Sequence, residues 1–339
     1  MFPSIQDHLL DVGKYRKNGY ITDINMKKDN TKGNATEIWA KTDVEGGYAS
    51  AVDVINDVVY FAHWVSDGSK QLRKLTSGGT EVWAKTTGFD AINGIAIDSL
   101  GNIHLAINVS VGNKSIIKLD SSGTEIWSKT DVAYCRDVKV DSNGNVYTAH
   151  NVAAGSRSVR KLNSSGSEIW AKTDIGYAIA VAVDTLGNVY VVYDMNSFKA
   201  VRKLDANGNE IWAKNYSSYY AIDVCVDIND NSIIVSYGGN GGQSIIKYDN
   251  DGNIVFQKHR GTPQNITADI SGNIYVSYSG AGLKKFDPNG NEVWNKADNG
   301  QVKRISVDKK GYVYVPHYLT AGSKTERKLD GAIYYKILN

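Results

Sequence analysis

The chain has 339 residues, of which 38 are basic and 36 acidic, for a net charge of +2. So even a balance excludes a polyanion-binding surface, and no nucleic-acid partner is expected. No run of about 18 apolar residues is present, so no transmembrane helix is expected.

The first 34 residues stand apart from the rest of the chain. Ser4 with Asp7 reads as the start of a short helix carrying Ile5, Leu9 and Val12. The opening stretch MFPSIQDHLLDVGKYRKNGY lacks a basic segment followed by an apolar one, so no secretory signal is expected. Residues 29–36 are polar and read as a linker. Residues 1–34 are therefore an N-terminal extension, either a clasp on the domain that begins near residue 35 or an anchor to a larger assembly.

From residue 36 onward one phrase recurs: GTEVWAK (79–85), GTEIWSK (123–129), GSEIWAK (166–172), GNEIWAK (208–214) and GNEVWNK (290–296). Its aromatic residue falls at Trp39, Trp83, Trp127, Trp170, Trp212, Phe256, Trp294 and Tyr335, roughly 38–44 residues apart. A period of that size belongs to a propeller blade. Residues 93–130 show the parts of one repeat. A short apolar strand ends at Asp98 and leads into a Ser99-Leu100-Gly101 turn. Then come a second strand, a Gly-containing loop, a third strand (115–119) and the tryptophan strand. Each segment is short, rich in Val, Ile and Tyr, and bounded by Gly, Asn, Asp and Ser. The Asp98, Asp141 and Asp184 turns, with Gly101, Gly144 and Gly187, suit tight hairpins. The fold class is all-β: a seven-bladed β-propeller of four-stranded antiparallel blades over 35–339. The repeats span about 46–86, 87–130, 131–173, 174–215, 216–259, 260–297 and 298–339. The ring closes either with 36–41 beside the last third strand or with 332–338 in that place.

Strict alternation along Glu125-Ile126-Trp127-Ser128-Lys129 puts Glu125, Trp127 and Lys129 on one face. Trp39, Trp83, Trp127, Trp170, Trp212, Phe256 and Trp294 are read as docking residues between blades. The third-strand lysines Lys74, Lys118, Lys161, Lys203, Lys247, Lys285 and Lys328, beside Glu81, Glu125, Glu168, Glu210 and Glu292, read as a neutralised outer surface.

The pairing of AVAVDTLGNVYVVY (179–193) with AVRKLDANGNEIWAK (200–214) resembles bacterial β-propeller repeats of the SBBP type, and is similar to the wider NHL and quinoprotein-like (PQQ-like) groups. The resemblance covers about 46–339 and implies the propeller fold. It does not imply an activity, because function resides in sites rather than folds. Quinoproteins of this kind also carry a vicinal cysteine pair and an acidic metal-binding set. Neither is assignable here, so no cofactor is expected.

Candidate site residues come from the ends of the second strands, where His63, Ile107, His150, Tyr193, Tyr237, Tyr278 and His317 align. In a propeller these positions ring one face, together with the loops leading into the next blade, which carry Tyr48, Phe89, Tyr134, Tyr177 and Tyr220. Tyr and His combine an apolar body with a polar tip, which suits protein or sugar recognition. The competing reading is that they pad blade ends. His63, His150 and His317 fall in the first, third and seventh repeats, too far apart to share an ion, so no metal is expected. The stretches 227–231 and 249–253 look like the front half of a calcium loop but lack its closing Glu, and read as hairpin turns. Cys135 and Cys225 sit in non-adjacent repeats and are expected as free thiols.

No nucleophile elbow, zinc-protease or phosphate-loop motif is present. The favoured reading is a non-enzymatic interaction module. It would be a bacteriophage virion component (tail, baseplate or capsid surface), made in the host cytoplasm. It would meet other proteins through the extension or one propeller face, or a cell-surface glycan. The alternatives are an exported carbohydrate-binding propeller, and a lyase or hydrolase using His150 or His317 as base.

Overall fold

A computed structural model describes residues 35–337 apart from 65–69, 87–90, 196–197, 217–218, 228–231, 239–244, 259–260, 280–281, 298–300, 320–322 and 332–334. Of the first 34 residues it describes only the strand backbones of Arg16–Lys17, Tyr20–Ile21 and Met26–Lys28. The expected helix near Ser4 lies outside the described residues.

The chain forms two compact units, Ala35–Ala332 and Met1–Asn34 with Ile333–Asn339. In the smaller, Arg16–Lys17 pairs with Tyr20–Ile21, and Met26–Lys28 pairs with Tyr335–Ile337. The last repeat therefore ends earlier than the expected residue 339.

The larger unit is an all-β propeller. Six repeats form regular four-stranded antiparallel sheets, each in simple sequence order. The third blade is representative: Cys135–Val140, Val146–His150, Val159–Leu162 and Glu168–Lys172. The seventh repeat departs from the expected four-stranded blade. Its inner strand is broken into Gln301–Val302 and Ser306–Val307, both paired with Tyr312–Tyr318. Its outer strand comes from the front of the unit, where Thr36–Lys41 pairs with Glu326–Asp330. Of the two expected ways to close the ring, this is the first, and it takes the edge that 332–338 would otherwise fill.

Second strands such as Ile103–Ile107 and Val146–His150 are buried along their whole length, because a neighbouring blade covers each face. Fourth strands form the half-exposed rim. Seven apolar clusters seal the junctions. Ile95, Leu105 and Ile117 pack with Tyr60 and Leu72 of the preceding blade, and Tyr314 of the composite sheet packs with Val59, Phe61 and Leu75 of the first.

A bulge recurs in the fourth strands and overturns the expected alternation. Lys118 faces Trp127 but Leu119 faces Glu125, so Ile126 is the extra residue. A one-residue slip moves a side chain to the opposite face. Glu125 and Trp127 therefore lie on opposite faces, and Ile126 is exposed. Glu81, Glu168 and Glu210 turn back to Arg73, Arg160 and Arg202 at 2.5, 2.7 and 3.2 Å.

Trp127 and Lys118 turn the other way and both donate to the Ser164 carbonyl of the next blade's outer hairpin, at 3.1 and 3.3 Å. Trp170 and Lys161 share the Ala206 carbonyl at 3.0 Å each, and Trp212 and Lys203 share that of Asn250. Trp39 and Lys328 close the ring on Ser77, both at 3.0 Å. Trp83 with Lys74, and Trp294 with Lys285, repeat the arrangement on Ser121 and Gly331. Phe256 has no indole N–H, so Lys247, which also pairs with Asp227 at 2.7 Å, donates to the Pro288 carbonyl without a tryptophan beside it. The expected outer-surface lysines are thus corrected. Six of the seven are buried and staple blades together, and four of these, Lys161, Lys203, Lys285 and Lys328, lie over the second-strand tyrosines Tyr147, Tyr190, Tyr275 and Tyr314.

Candidate functional site: one propeller face and the central channel

The described residues at the ends of the second strands are buried rather than exposed on a face. His63, His150, Tyr193, Tyr278 and His317 are buried, with at most 3% of each exposed. The side chains of Tyr237, Tyr220 and Phe89 lie outside the described residues. The cause is tertiary: the segment entering each blade crosses over the second-strand end and hydrogen-bonds to it, as Asn151 N–H does to the Tyr134 carbonyl at 3.0 Å.

The buried rings are engaged. His150 Nδ1 donates to the Ala133 carbonyl at 2.9 Å, which leaves Nε2 to accept from the Thr148 hydroxyl at 3.0 Å. Burial, helped by the nearby Arg160 and Arg157 charges and opposed by the Ala133 bond, lowers its pKa to about 4. His63 Nε2 lies 2.6 Å from Glu326 Oε1, which also accepts from Arg73 Nη1 at 3.2 Å. The Tyr193 hydroxyl accepts from Arg202 Nε at 3.0 Å.

Two of the expected face residues are exposed. Tyr134 and Tyr177 are 46% and 43% exposed and both adopt left-handed backbone, with φ of 51° and 45°. Gly46 occupies the same place at the entry to the first blade, with φ of 62°. All three donate their N–H to a loop carbonyl of the preceding blade: Tyr134 to Val109, Tyr177 to Val152 and Gly46 to Leu319. All three also accept from a residue at the end of their own second strand. The seam between blades imposes the left-handed turn, which glycine adopts without strain and tyrosine does not. On the same kind of loop, Trp64 stacks on Tyr318 with centroids 5.9 Å apart, and Lys303 lies over the Tyr48 and Tyr318 rings.

A second arrangement lies in the channel. The inner strands enclose a cavity of about 260 Å³. At the inner-strand bulge the blades contribute, in order, Ala49, Gly94, Asp137, Ala180, Asp223, Asn265 and Arg304. Asp137 accepts from Val181 N–H at 3.1 Å, Asp223 from Ile266 N–H at 3.0 Å, and Asn265 from Ile305 N–H at 2.8 Å. Each thus bonds the backbone of the next blade. Asn265 Nδ2 also donates to Asp223. Arg304 Nη1 crosses to Asp137 Oδ1 at 2.5 Å, and Lys139 Nζ lies 2.9 Å from both Asp137 oxygens. Burial alone would raise the Asp137 carboxyl, but the Arg304 and Lys139 charges outweigh it and hold it below the carboxylate range. Asp223 is raised, first by burial and then by the Asp137 charge, against the opposing pull of Arg304. The sequence-based site residues do not include this cluster. The available signal was four polar residues at a register position where other repeats place Ala or Gly.

Among the described residues, no three His, Cys, Asp or Glu side chains stand close enough to hold a metal ion. Asp249 closes a hairpin, accepting from Asp251 N–H and Asn253 N–H, while 228–231 lie outside the described residues. Cys135 and Cys225 are free thiols.

No protein-family model and no curated protein matches the sequence. Solved structures share the fold. BamB from Moraxella catarrhalis superposes with a TM-score of 0.56 at 13% identity, over 87% of this chain and 99% of that one. The Dos1 propeller superposes with a TM-score of 0.59 at 12% identity, over 87% and 79%. At these identities the likeness is one of fold.

Proposed function

We propose that this chain is a non-enzymatic interaction module that binds a protein partner through the propeller face bearing Tyr134 and Tyr177. One observation carries the reading: two neighbouring blade entries keep exposed tyrosines in a backbone conformation that costs roughly 1 kcal/mol or more for a side chain, where glycine at residue 46 has no such cost. Stability alone would favour glycine at both. Exposed tyrosine, with the Trp64–Tyr318 stack, supplies the amphipathic area that dominates protein interfaces. The engaged state of His150 argues against its use as a general base, since both ring nitrogens already have partners.

The finer reading is a bacteriophage virion component, with the repeat belonging to the SBBP-like group; it rests on the resemblance of the repeats to bacterial and phage propellers. Mass spectrometry of purified particles from a producing culture tests it, and the chain's absence from them removes the virion reading. The binding face is tested separately. The Tyr134→Gly/Tyr177→Gly chain should melt no lower than the parent, yet lose 10-fold or more in affinity for the copurifying protein, about 1.4 kcal/mol. Unchanged affinity overturns the face assignment. Binding to a glycan array that the same pair abolishes would replace the protein partner by a glycan.

A further inference from the structure

We propose that the central channel is a binding site for a small oxyanion, carboxylate or phosphate, held between Arg304 and Lys139.

The bulge-level layer contains residues of two kinds. Asp137, Asp223 and Asn265 have a visible structural task, since each receives a backbone N–H from the next blade. Arg304 and Lys139 have none of that sort. Among the described residues, the side chain of each hydrogen-bonds only to Asp137. Nor does the fold need a polar group at this level, because Ala49, Gly94 and Ala180 occupy it in other blades.

Donor capacity exceeds what the protein supplies as acceptors. A guanidinium has five N–H donors in a planar fork suited to carboxylate or phosphate. Arg304 spends one on Asp137 and remains 21% exposed where it lines the cavity. Lys139 is 37% exposed in the same cavity. Ser50, Ser306 and Thr267 add hydroxyls to the wall.

Charge points the same way. Arg304 and Lys139 place two cations on the cavity wall, both against Asp137, while the second carboxyl, Asp223, is engaged by Asn265 and the Ile266 N–H. Protein walls screen those charges less than water does. A metal cation would instead meet Arg304 and Lys139 already beside the acidic oxygens. Size narrows the ligand further. About 260 Å³ is room for phosphate or a small di- or tricarboxylate.

The test is isothermal titration of the full chain in low-salt buffer at pH 7 with phosphate, malonate and citrate, and with glucose as an uncharged control. The expected result is saturable binding near one equivalent for at least one anion and none for glucose. The responding anion tells phosphate from carboxylate. Lys139→Met should weaken that binding 10-fold or more with the chain still folded at the assay temperature, and Arg304→Gln should abolish it. Because Arg304→Gln also removes a cross-channel ion pair, Lys139→Met is the deciding variant. Lys309→Met, on an exposed turn, should bind like the parent. No saturable heat with any anion, or binding that Lys139→Met leaves intact, overturns the proposal.

Discussion

Single side chains in this molecule act mostly between blades. Lys161 shows how strongly context sets a residue's role. It is buried, lies 5.3 Å from the Tyr147 ring centre, and donates to the Ala206 carbonyl of the next blade. A charged donor in such a bond contributes about 1.5–3 kcal/mol. Urea unfolding should show a loss of that size for Lys161→Ala and less than about 0.5 kcal/mol for Lys309→Ala on the surface. Equal effects would remove the staple role. His150 predicts a pH dependence. Its ring is neutral in the fold, with a pKa lowered to about 4, whereas an unfolded histidine titrates near 6.5. The unfolded chain therefore binds the extra proton first as pH falls. The stability is complete above about pH 6.5 and is lost progressively down to about pH 4, a change of about 3 kcal/mol. Unfolding measured across that range should show the decline, and His150→Asn should flatten it.

At the scale of strands, the outer hairpin of one blade receives the tryptophan strand of the blade before it. Gly208 shows why glycine stands there. Its φ is +85°, and a β-carbon would come within 3.1 Å of the Trp170 indole. The depth of this docking varies around the ring. Trp294 is 4% exposed, whereas Trp83 is only part-buried. Trp294→Ala should cost about 3–5 kcal/mol, and Trp83→Ala measurably less; the reverse order would contradict this packing. The closing strand matters more than any one docking residue. Without Thr36–Lys41, the strand Glu326–Asp330 becomes an open edge and Trp39 leaves the cluster of Phe61 and Tyr314. A chain starting at residue 42 should melt well below one starting at residue 35 and should self-associate in sedimentation, because unpaired edges recruit other strands.

For the propeller as a whole, circularity is the organising fact. Buried second strands such as Val146–His150 depend on both neighbouring blades, and the composite sheet supports the first and sixth repeats alike. Circularity also creates sites that no single repeat contains. The Arg304–Asp137 pair joins residues 167 apart in the chain, and the tyrosine entries exist only where two blades are sewn together. Loops on one face and residues facing the axis are free to vary once the repeats have built the ring, which is where both proposed sites lie.

The amino-acid sequence by itself determined the repeat length, the strand positions and the turns. These come from local rules: period-two apolar runs, Asp and Asn that bond nearby amides, and glycine at positive φ, as at Gly144 with φ of 79°. Tertiary structure decided everything that depends on which face meets a neighbour. A single bulge residue such as Ile126 separated Glu125 from Trp127. Blade packing buried His150 and Tyr193, whose residue types suit a surface equally well. It also turned the rim lysines inward and gathered Asp137, Asp223, Asn265 and Arg304 around one cavity. Periodicity reports how often a side chain changes face, but only the assembled neighbours determine what that face touches.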